Sequence, residues 1–215
     1  KGYGMFVDFY LSGNVIMNIG DGVSARYYNP GDKVPANYQL LLTFKDESFL
    51  VFTVAMYGFI SAYPDGVIDN KYYTISRESI SPLSDAYTEA EFEKLFASAK
   101  KTLTAKALLA TEQRIPGVGN GVTQDILFNA GIHPKQKVFD LSDGQKGVLF
   151  KSLKDTLMAM TSGRGRDTQT DLYGNEGGYK TILSSKTWKN PCPRCGSVIV
   201  KEAYLGGSVY YCSEC

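Results

Sequence analysis

Short segments with alternating hydrophobic and polar residues fill residues 1–63 of the chain. Each segment is rich in β-branched and aromatic side chains, and turn sequences such as "LSGN" and "KDES" separate them, which is the pattern of β-strands. Six strands are predicted, in "MFVDF", "VIMNI", "VSARYY", "YQLLLTF", "FLVFTV" and "GFISAY". Strands at this spacing indicate a β-sandwich or barrel. The set opens without a linker, so we expect part of this domain to precede Lys1.

The pattern changes to a helical period after residue 85. Residues 63–85 contain proline, glycine and aspartate and are interpreted as the crossing between the two halves. Thr88 with Glu91, and Ser142 with Gln145, have the spacing of capping boxes and predict two helix starts. A glycine-rich polar segment, residues 161–179, is predicted to be a loop. The apolar positions at helical spacing are predicted to be core: Phe92, Leu95, Phe96, Leu149, Leu153, Leu157 and Met160.

Composition limits the classes of protein that this chain can belong to. It has 215 residues, of which 43% are hydrophobic, with a net charge of +1. No apolar run is long enough for a membrane span. A near-neutral chain argues weakly against a nucleic-acid partner, although Lys186, Lys189 and Arg194 form a local basic cluster. We predict a β-domain at 1–75, a helical domain at 76–185 and a small C-terminal unit at 186–215.

All four cysteines lie in the last twenty-five residues, with the spacing Cys192-x2-Cys195-x16-Cys212-x2-Cys215. This spacing is typical of a four-thiolate zinc site, and the intervening "GG" with alternating flanks predicts a β-hairpin. Two disulfides or a redox-active C-x-x-C pair are the alternatives. A unit as short as residues 186–215 buries little core. Metal binding is therefore expected to hold the hairpin, since it contributes about 10–16 kcal/mol in structural zinc peptides. Four protein ligands leave no open position, which predicts one structural zinc per chain.

A glycine turn, "PGVGN", stands in the middle of the helical half. Gly117 and Gly119 allow a tight turn and a close approach of the backbone to a ligand. "GVTQDILFNA" is predicted to follow as a helix that ends at Gly131. The start of that helix would suit a phosphate, and a plain helix–helix turn is an equally weighted alternative. The sequence does not match a nucleotide P-loop.

The stretch "QRIPGVGNGVTQDILFNAGIHP", followed by the four-cysteine hairpin, resembles the formamidopyrimidine-DNA glycosylase and endonuclease VIII family. "SPLSDAYTEAEF", "TAKALLATEQ" and "VIMNIGDG" are similar to other segments of that family, so the resemblance covers nearly all of the chain. It implies an α+β multidomain fold, with an antiparallel β-sandwich that is incomplete here, a helix–two-turn–helix domain and a C-terminal zinc-finger hairpin. It also implies that DNA is held in the cleft between the domains.

Members of the family excise oxidised bases and cut the abasic strand. Their nucleophile is an N-terminal proline amine, which forms a Schiff base, and a glutamate follows it as acid and base. The resemblance places both groups ahead of Lys1, so no catalytic residue is assigned within this sequence. It implies DNA contacts at Asn120, Gly119, Lys1, Lys106 and Tyr57. For Lys106, an exposed surface lysine is the favoured interpretation, and His133 is interpreted as structural.

Several positions depart from the family pattern. The residues that fill the gap left by a flipped base match Asp21, Ala55 or Met56, and Tyr57 here, and an aspartate is a poor wedge. The finger arginine that grips phosphate matches Gly207.

Two hypotheses follow. The first is a glycosylase with abasic-site lyase activity, expected to be a cytoplasmic, bacterial-type, nucleoid-associated monomer with DNA as its partner. The second is a non-catalytic DNA-binding or damage-sensing relative. A zinc ribbon on an unrelated β scaffold is a weaker third, which the glycine turn argues against.

Overall fold

A computed structural model describes residues 1–215. The N-terminal region forms two antiparallel sheets, one of four strands in the order β1–β2–β3–β7 and one of three in the order β4–β6–β5. The strands are β1 (Gly2–Tyr3), β2 (Phe6–Leu11), β3 (Val15–Ile19), β4 (Val23–Tyr28), β5 (Leu40–Thr43), β6 (Phe49–Val54) and β7 (Ile60–Tyr63). All six predicted strands are confirmed, and the two-residue β1 is an addition.

The two sheets pack face to face and form the predicted β-sandwich. Met17 and Ile19 of β3 and Phe52 of β6 are buried between them. Phe9 of β2 packs edge-on against Phe52, with ring centroids 5.8 Å apart. Because side chains alternate along a strand, the polar residues of β2 and β3 face outward from this core.

The outer face of the four-stranded sheet is covered by a helix that the sequence analysis missed. Helix α1 (Lys71–Glu78) lies inside the stretch interpreted as a crossing. Asn70 caps it, accepting hydrogen bonds from the backbone N–H groups of Tyr72 and Tyr73. The Tyr73 hydroxyl donates to the buried carboxylate of Asp8, 2.7 Å away. Glycine and proline upstream obscured a helix whose buried face is largely polar.

Four further helices form the second region, α2 (Glu89–Ala97), α3 (Ala105–Ala110), α4 (Asn120–Ala130) and α5 (Asp143–Ser162). Ser142 and Gln145 form the full capping box predicted for α5. At α2 only half of the box is present, because Thr88 caps Glu91 while the Glu91 carboxylate pairs with Lys94. Their core buries 14 residues, including the predicted Phe92, Leu149 and Leu153. None of these helices has the length and apolar character needed to cross a bilayer.

Beyond α5, residues 163–181 form a loop that returns to the sandwich. The Tyr27 backbone N–H donates to the Leu172 carbonyl at 2.8 Å, and the rings of Tyr27 and Tyr173 lie 5.5 Å apart. The chain then enters a hairpin of β8 (Ile199–Tyr204) and β9 (Gly207–Cys212). The predicted sandwich, helical region and C-terminal hairpin are therefore confirmed. The domain limits at residues 75 and 185 stay predictions.

Candidate metal centre and nucleic-acid interface

The four cysteines converge at the open end of the β8–β9 hairpin. Cys192 and Cys215 have sulfurs 3.6 Å apart, those of Cys195 and Cys212 are 3.4 Å apart, and all four lie within 4.8 Å of one another. A disulfide would need about 2.05 Å, so the disulfide alternative is wrong. Tetrahedral ligands with metal–sulfur bonds of about 2.3 Å lie about 3.8 Å from one another. The cluster therefore has the dimensions to hold one metal ion.

The surroundings of the sulfurs also suit a metal. The Ser197 hydroxyl and backbone N–H lower the pKa of Cys195 to about 6. Burial opposes ionisation of Cys192, yet the backbone N–H groups of Cys195 and Arg194 lower its pKa overall. The neighbouring Cys195 raises the pKa of Cys215 to about 12. Four thiolates this close repel one another, and the charge of a bound cation is what allows all of them to ionise.

The hairpin docks onto α4 through hydrogen bonds between side chains of α4 and the backbone of β9. Gln124 uses both ends of its amide: Nε2 donates to the Ser208 carbonyl at 2.9 Å, and Oε1 accepts from the Tyr210 N–H at 3.1 Å. Asn120, the first residue of α4, donates from Nδ2 to the same Ser208 carbonyl at 3.0 Å. Gly207 lies directly against the Asn120 amide, where a Cβ would come within 3.1 Å of Nδ2.

Lys106 lies at the opposite edge of the same junction. It is only 1% exposed, so its interpretation as a surface lysine is wrong. Its ammonium donates to the Tyr204 carbonyl at the end of β8 and lies 5.5 Å from the centre of that ring. Burial lowers the pKa of Lys106, and Glu202 partly opposes this. The ammonium faces the hairpin and not solvent, so the DNA contact predicted for Lys106 has no support in this arrangement.

The far end of α4 is held by an arginine that the sequence analysis assigned to a loose basic cluster. Gly131 ends the helix in the left-handed conformation, as predicted, with φ of 64°. Arg194 donates to the Phe128 carbonyl at 2.9 Å and stacks on the Phe128 ring, 4.7 Å from its centre. A cation here is favourable because the helix exposes carbonyl groups at its C-terminus. His133 packs edge-on against Tyr211, which agrees with a structural role.

The glycine turn joins the helical region to the sandwich. Gly117 has φ of 85°, a conformation that favours glycine, and a Cβ there would make an ordinary van der Waals contact with the Gly4 backbone at 3.4 Å. Gly119 differs, because nothing lies within 4 Å of a Cβ built there. The Gly119 backbone thus borders open space beside Asn120. The turn packs on the sandwich at one end and leaves its other end accessible.

The other predicted contacts lie on the sandwich. Tyr57 is 91% exposed and Met56 85% exposed, in the turn between β6 and β7. Asp21 lies in the neighbouring turn, which the Ala55 N–H joins by a 2.8 Å hydrogen bond to the Gly22 carbonyl. Lys1 is exposed on the outer sheet, with Nζ 5.1 Å from the centre of the Tyr3 ring. Tyr57 and Asp21 therefore share one rim, whereas Asn120 and Gly119 lie on α4.

The buried polar residues of α4 were not predicted from the sequence. Asp125 is fully buried and accepts hydrogen bonds from the backbone N–H groups of Leu183 at 2.8 Å and Ile182 at 3.0 Å. Burial raises the pKa of Asp125 despite these bonds. Together with Gln124, it makes α4 the element on which both the loop and the hairpin are anchored. The only signal was the polar run "TQD" between the apolar residues Val122 and Ile126 of the helix.

Two solved structures of known proteins match the fold of this chain. The MutM (Fpg) protein of Thermus thermophilus matches with a TM-score of 0.78 at 22% identity, over 100% of this chain and 80% of that one. The Lactococcus lactis Fpg in complex with abasic-site DNA matches with a TM-score of 0.79 at 20% identity, over 99% and 79%. The chain therefore shares the fold of these two proteins.

Curated relatives agree. A formamidopyrimidine-DNA glycosylase of Carboxydothermus hydrogenoformans is 30% identical over 137 residues, 62% of this chain. The match spans about half, 51%, of that relative's length. One of Mycoplasma mobile is 27% identical over 99% of this chain and 78% of its own length. No family model matches the chain. These relatives carry the name of the family that the glycine turn and the cysteine hairpin resemble, and the solved Fpg structures share the fold of this chain.

Proposed function

We propose that this chain carries the DNA-holding part of a base-excision-repair glycosylase with abasic-site lyase activity on oxidised bases. The observation that carries the proposal is the junction at Asn120. There, the open backbone of the glycine turn meets a hairpin built on a four-cysteine centre, in a chain whose relatives are formamidopyrimidine-DNA glycosylases. A cytoplasmic monomer acting on DNA is part of the same proposal.

The residues of this chain would bind and orient the strand. Asn120 uses one amide hydrogen on the Ser208 carbonyl, so its second amide hydrogen stays free to donate to a phosphate. Tyr57, on the facing rim, offers an exposed ring on which a base can stack. The Schiff-base amine and its acid are proposed to lie N-terminal to Lys1. Residues 1–215 would thus position the DNA strand, and the amine would form the Schiff base with the sugar.

Zinc is the metal that we propose for the cysteine centre. Four thiolates at tetrahedral spacing suit zinc and leave no position for water or substrate. Cys192, Cys195, Cys212 and Cys215 would hold it. Its role is structural, because it keeps the hairpin at the distance where the Ser208 carbonyl meets Gln124 and Asn120. Elemental analysis should give about one zinc per chain, and less than half an equivalent would contradict this assignment.

The DNA-binding part of the proposal is tested with Asn120→Ala. A phosphate contact positions the protein without reading bases, so affinity should fall to a similar extent for duplexes of different sequence. Fluorescence anisotropy with several labelled duplexes measures this, with the exposed Asn29→Ala as the control. A loss confined to one base context would show that Asn120 reads a base. Failure of the unaltered chain to bind any duplex would remove the proposed function.

The lyase part is tested by borohydride trapping on DNA with an abasic site. The full-length gene product should form the covalent adduct, because reduction fixes a Schiff base between an amine and the sugar. Residues 1–215 alone should not. Adduct formation by this polypeptide would mean that an internal lysine acts as nucleophile. The buried, pKa-lowered Lys106 would be the first to replace.

Two features favour the second hypothesis, a DNA-binding relative without base excision. Asp21 places a carboxylate on the rim where a wedge is needed, and Gly207 stands where the family resemblance expects the arginine of the finger. Full-length protein that binds damaged duplex but traps no adduct would support this alternative. Trapping by the full-length protein would exclude it.

A further inference from the structure

Arg166, in the loop of residues 163–181, is a half-buried cation without an anion. None of the ion pairs in the structure includes it. Burial lowers the pKa of Arg166, and the nearby carboxylates offset this only in part. A guanidinium carries five N–H donors in a planar fork. Withdrawing such a group from water is unfavourable unless a partner replaces the water.

The neighbouring carboxylates are occupied by other donors. Asp125 accepts from the N–H groups of Ile182 and Leu183. Asp167 accepts from the hydroxyl and the N–H of Thr181, at 2.9 and 3.2 Å. These acids anchor the loop to the fold, so they lend the guanidinium a favourable field without a direct bond.

Asp21, the third acid, accepts from the N–H of Gly22 at 3.0 Å and sits on the sandwich rim. It acts on Arg166 from across the gap, beyond the distance of an ion pair.

The guanidinium of Arg166 lies against Gly121, in space that a side chain at that position would fill. Its Nη1 lies where a side chain at Gly121 would be, since a Cβ there would come within 2.2 Å of that nitrogen. Gly121 is the residue after Asn120, and Asp21 is on the opposite rim. The guanidinium therefore lies between the two surfaces to which the DNA contacts are assigned.

We propose that Arg166 grips a DNA phosphate beside Asn120. The inference rests on the proposed function, because it requires that a nucleic-acid strand passes between α4 and the sandwich rim. A phosphate suits the site, since its oxygens match the two-pronged guanidinium and a neighbouring amide hydrogen of Asn120 is free. Arg166 is then the cation on which affinity for the backbone depends, and the loop that carries it belongs to the binding surface.

Arg166→Gln tests this with a labelled duplex that contains an abasic-site analogue, measured by fluorescence anisotropy over a range of salt. Loss of a charge-assisted bond should weaken binding about tenfold or more. Loss of one neutralised phosphate should reduce the log–log salt slope by about 0.9. The control is Lys151→Gln on the exposed side of α5, which removes the same charge and should change the slope little.

Gly121→Ala is a second variant that leaves every charge in place. Its methyl group would occupy the position of Nη1 and displace the flexible end of Arg166, while alanine suits a helix better than glycine. It should weaken binding as Arg166→Gln does without lowering thermal stability. Combining the two should add little, because both remove the same contact.

The outcomes separate this inference from the proposed function. No DNA binding by the unaltered chain would overturn both. Binding by the unaltered chain that Arg166→Gln leaves intact would overturn only the role of Arg166. An affinity loss with an unchanged salt slope and a lowered melting temperature would also overturn it, because Arg166 would then only brace the loop.

Discussion

The helical region and the finger are stabilised in different ways, because their hydrophobic cores differ in size. The helical core buries 14 residues, all of them apolar or aromatic. The cluster beneath the finger has only five buried members, Leu183, Cys192, Ile199, Tyr210 and Cys212, of which two are candidate metal ligands. A core of that size cannot offset the conformational entropy of the hairpin. The finger must therefore draw its order from a metal and from its contacts with α4.

The difference shows which parts of the molecule depend on one another. The helical region is stabilised by contacts among its own helices, whereas the hairpin is placed by polar groups of α3 and α4. Asn120 takes part in both the helix start and the hairpin contact. Disorder in the finger should thus alter the environment of Asn120, while small changes in the helical core should leave the metal centre intact.

The largest effect is expected for Cys195→Ser. Removal of one thiolate should release the metal and unfold the hairpin, since metal binding supplies most of its folding free energy. The thermal transition of the sandwich should stay nearly unchanged. Metal content by elemental analysis and thermal unfolding by circular dichroism measure the two effects. Ser213→Ala, next to Cys212, is the matched control, and metal retained by Cys195→Ser would contradict the four-ligand centre.

Leu149→Ala should give the largest change on the other side of the comparison. Leu149 is fully buried in α5, and truncation of such a residue costs about 2–5 kcal/mol through lost burial and the cavity left behind. Urea unfolding measures it, and the metal content should stay at the unaltered level. Val148→Ala, exposed on the same helix, should cost far less. Equal effects of the two substitutions would mean that α5 is not packed as the structure has it.

Periodicity predicted the apolar parts of this molecule well. The six longer strands and the core positions Phe92, Leu149 and Leu153 all follow from alternation or a helical repeat, because burial of apolar faces decides them. Cysteine spacing predicted the metal cluster for a similar reason, since each C-x-x-C turn directs two sulfurs to one point. The capping box at Ser142 was equally local.

The polar junctions could not be predicted in this way. Lys106, Gln124 and Asp125 are buried because partners on distant segments satisfy them, at sequence separations that local patterns do not reveal. Residues of these types are usually exposed, and Lys106 was misinterpreted for that reason. Helix α1 was missed because its buried face carries Tyr73 and Ser76 over a polar strand surface. Arg166 gave no signal, because its place depends on the path of a loop.

Gln124→Ala should have an intermediate effect confined to the junction. It leaves the Tyr210 N–H without its acceptor and takes one donor from the Ser208 carbonyl. An unsatisfied buried group costs about 1–3 kcal/mol. Amide hydrogen exchange should therefore speed up along β9 and not in α5. The exposed Gln169→Ala is the control, and uniform acceleration in both elements would mean that the finger does not dock as an independent unit.

Lys106→Met should have the smallest effect, and it is best seen as a dependence on pH. Burial holds the pKa of Lys106 below the ordinary lysine value of about 10.4. Between those two values the unfolded chain binds more protons than the folded one, so this lysine adds stability as pH rises through the window and loses it as pH falls. Methionine fills the space without titrating. The free energy of unfolding of the unaltered protein, minus that of Lys106→Met, should therefore increase from neutral to alkaline pH in urea titrations.

Lys135→Met is a control of opposite sign. The hydrogen bond of Lys135 to Glu202 raises the pKa of Lys135, so the corresponding difference should fall as pH rises. A Lys106 difference that is flat with pH would show that its ammonium is solvated, and the anchor between α3 and the hairpin would then have to be a neutral contact such as the 3.0 Å bond between Thr104 and the Tyr204 hydroxyl.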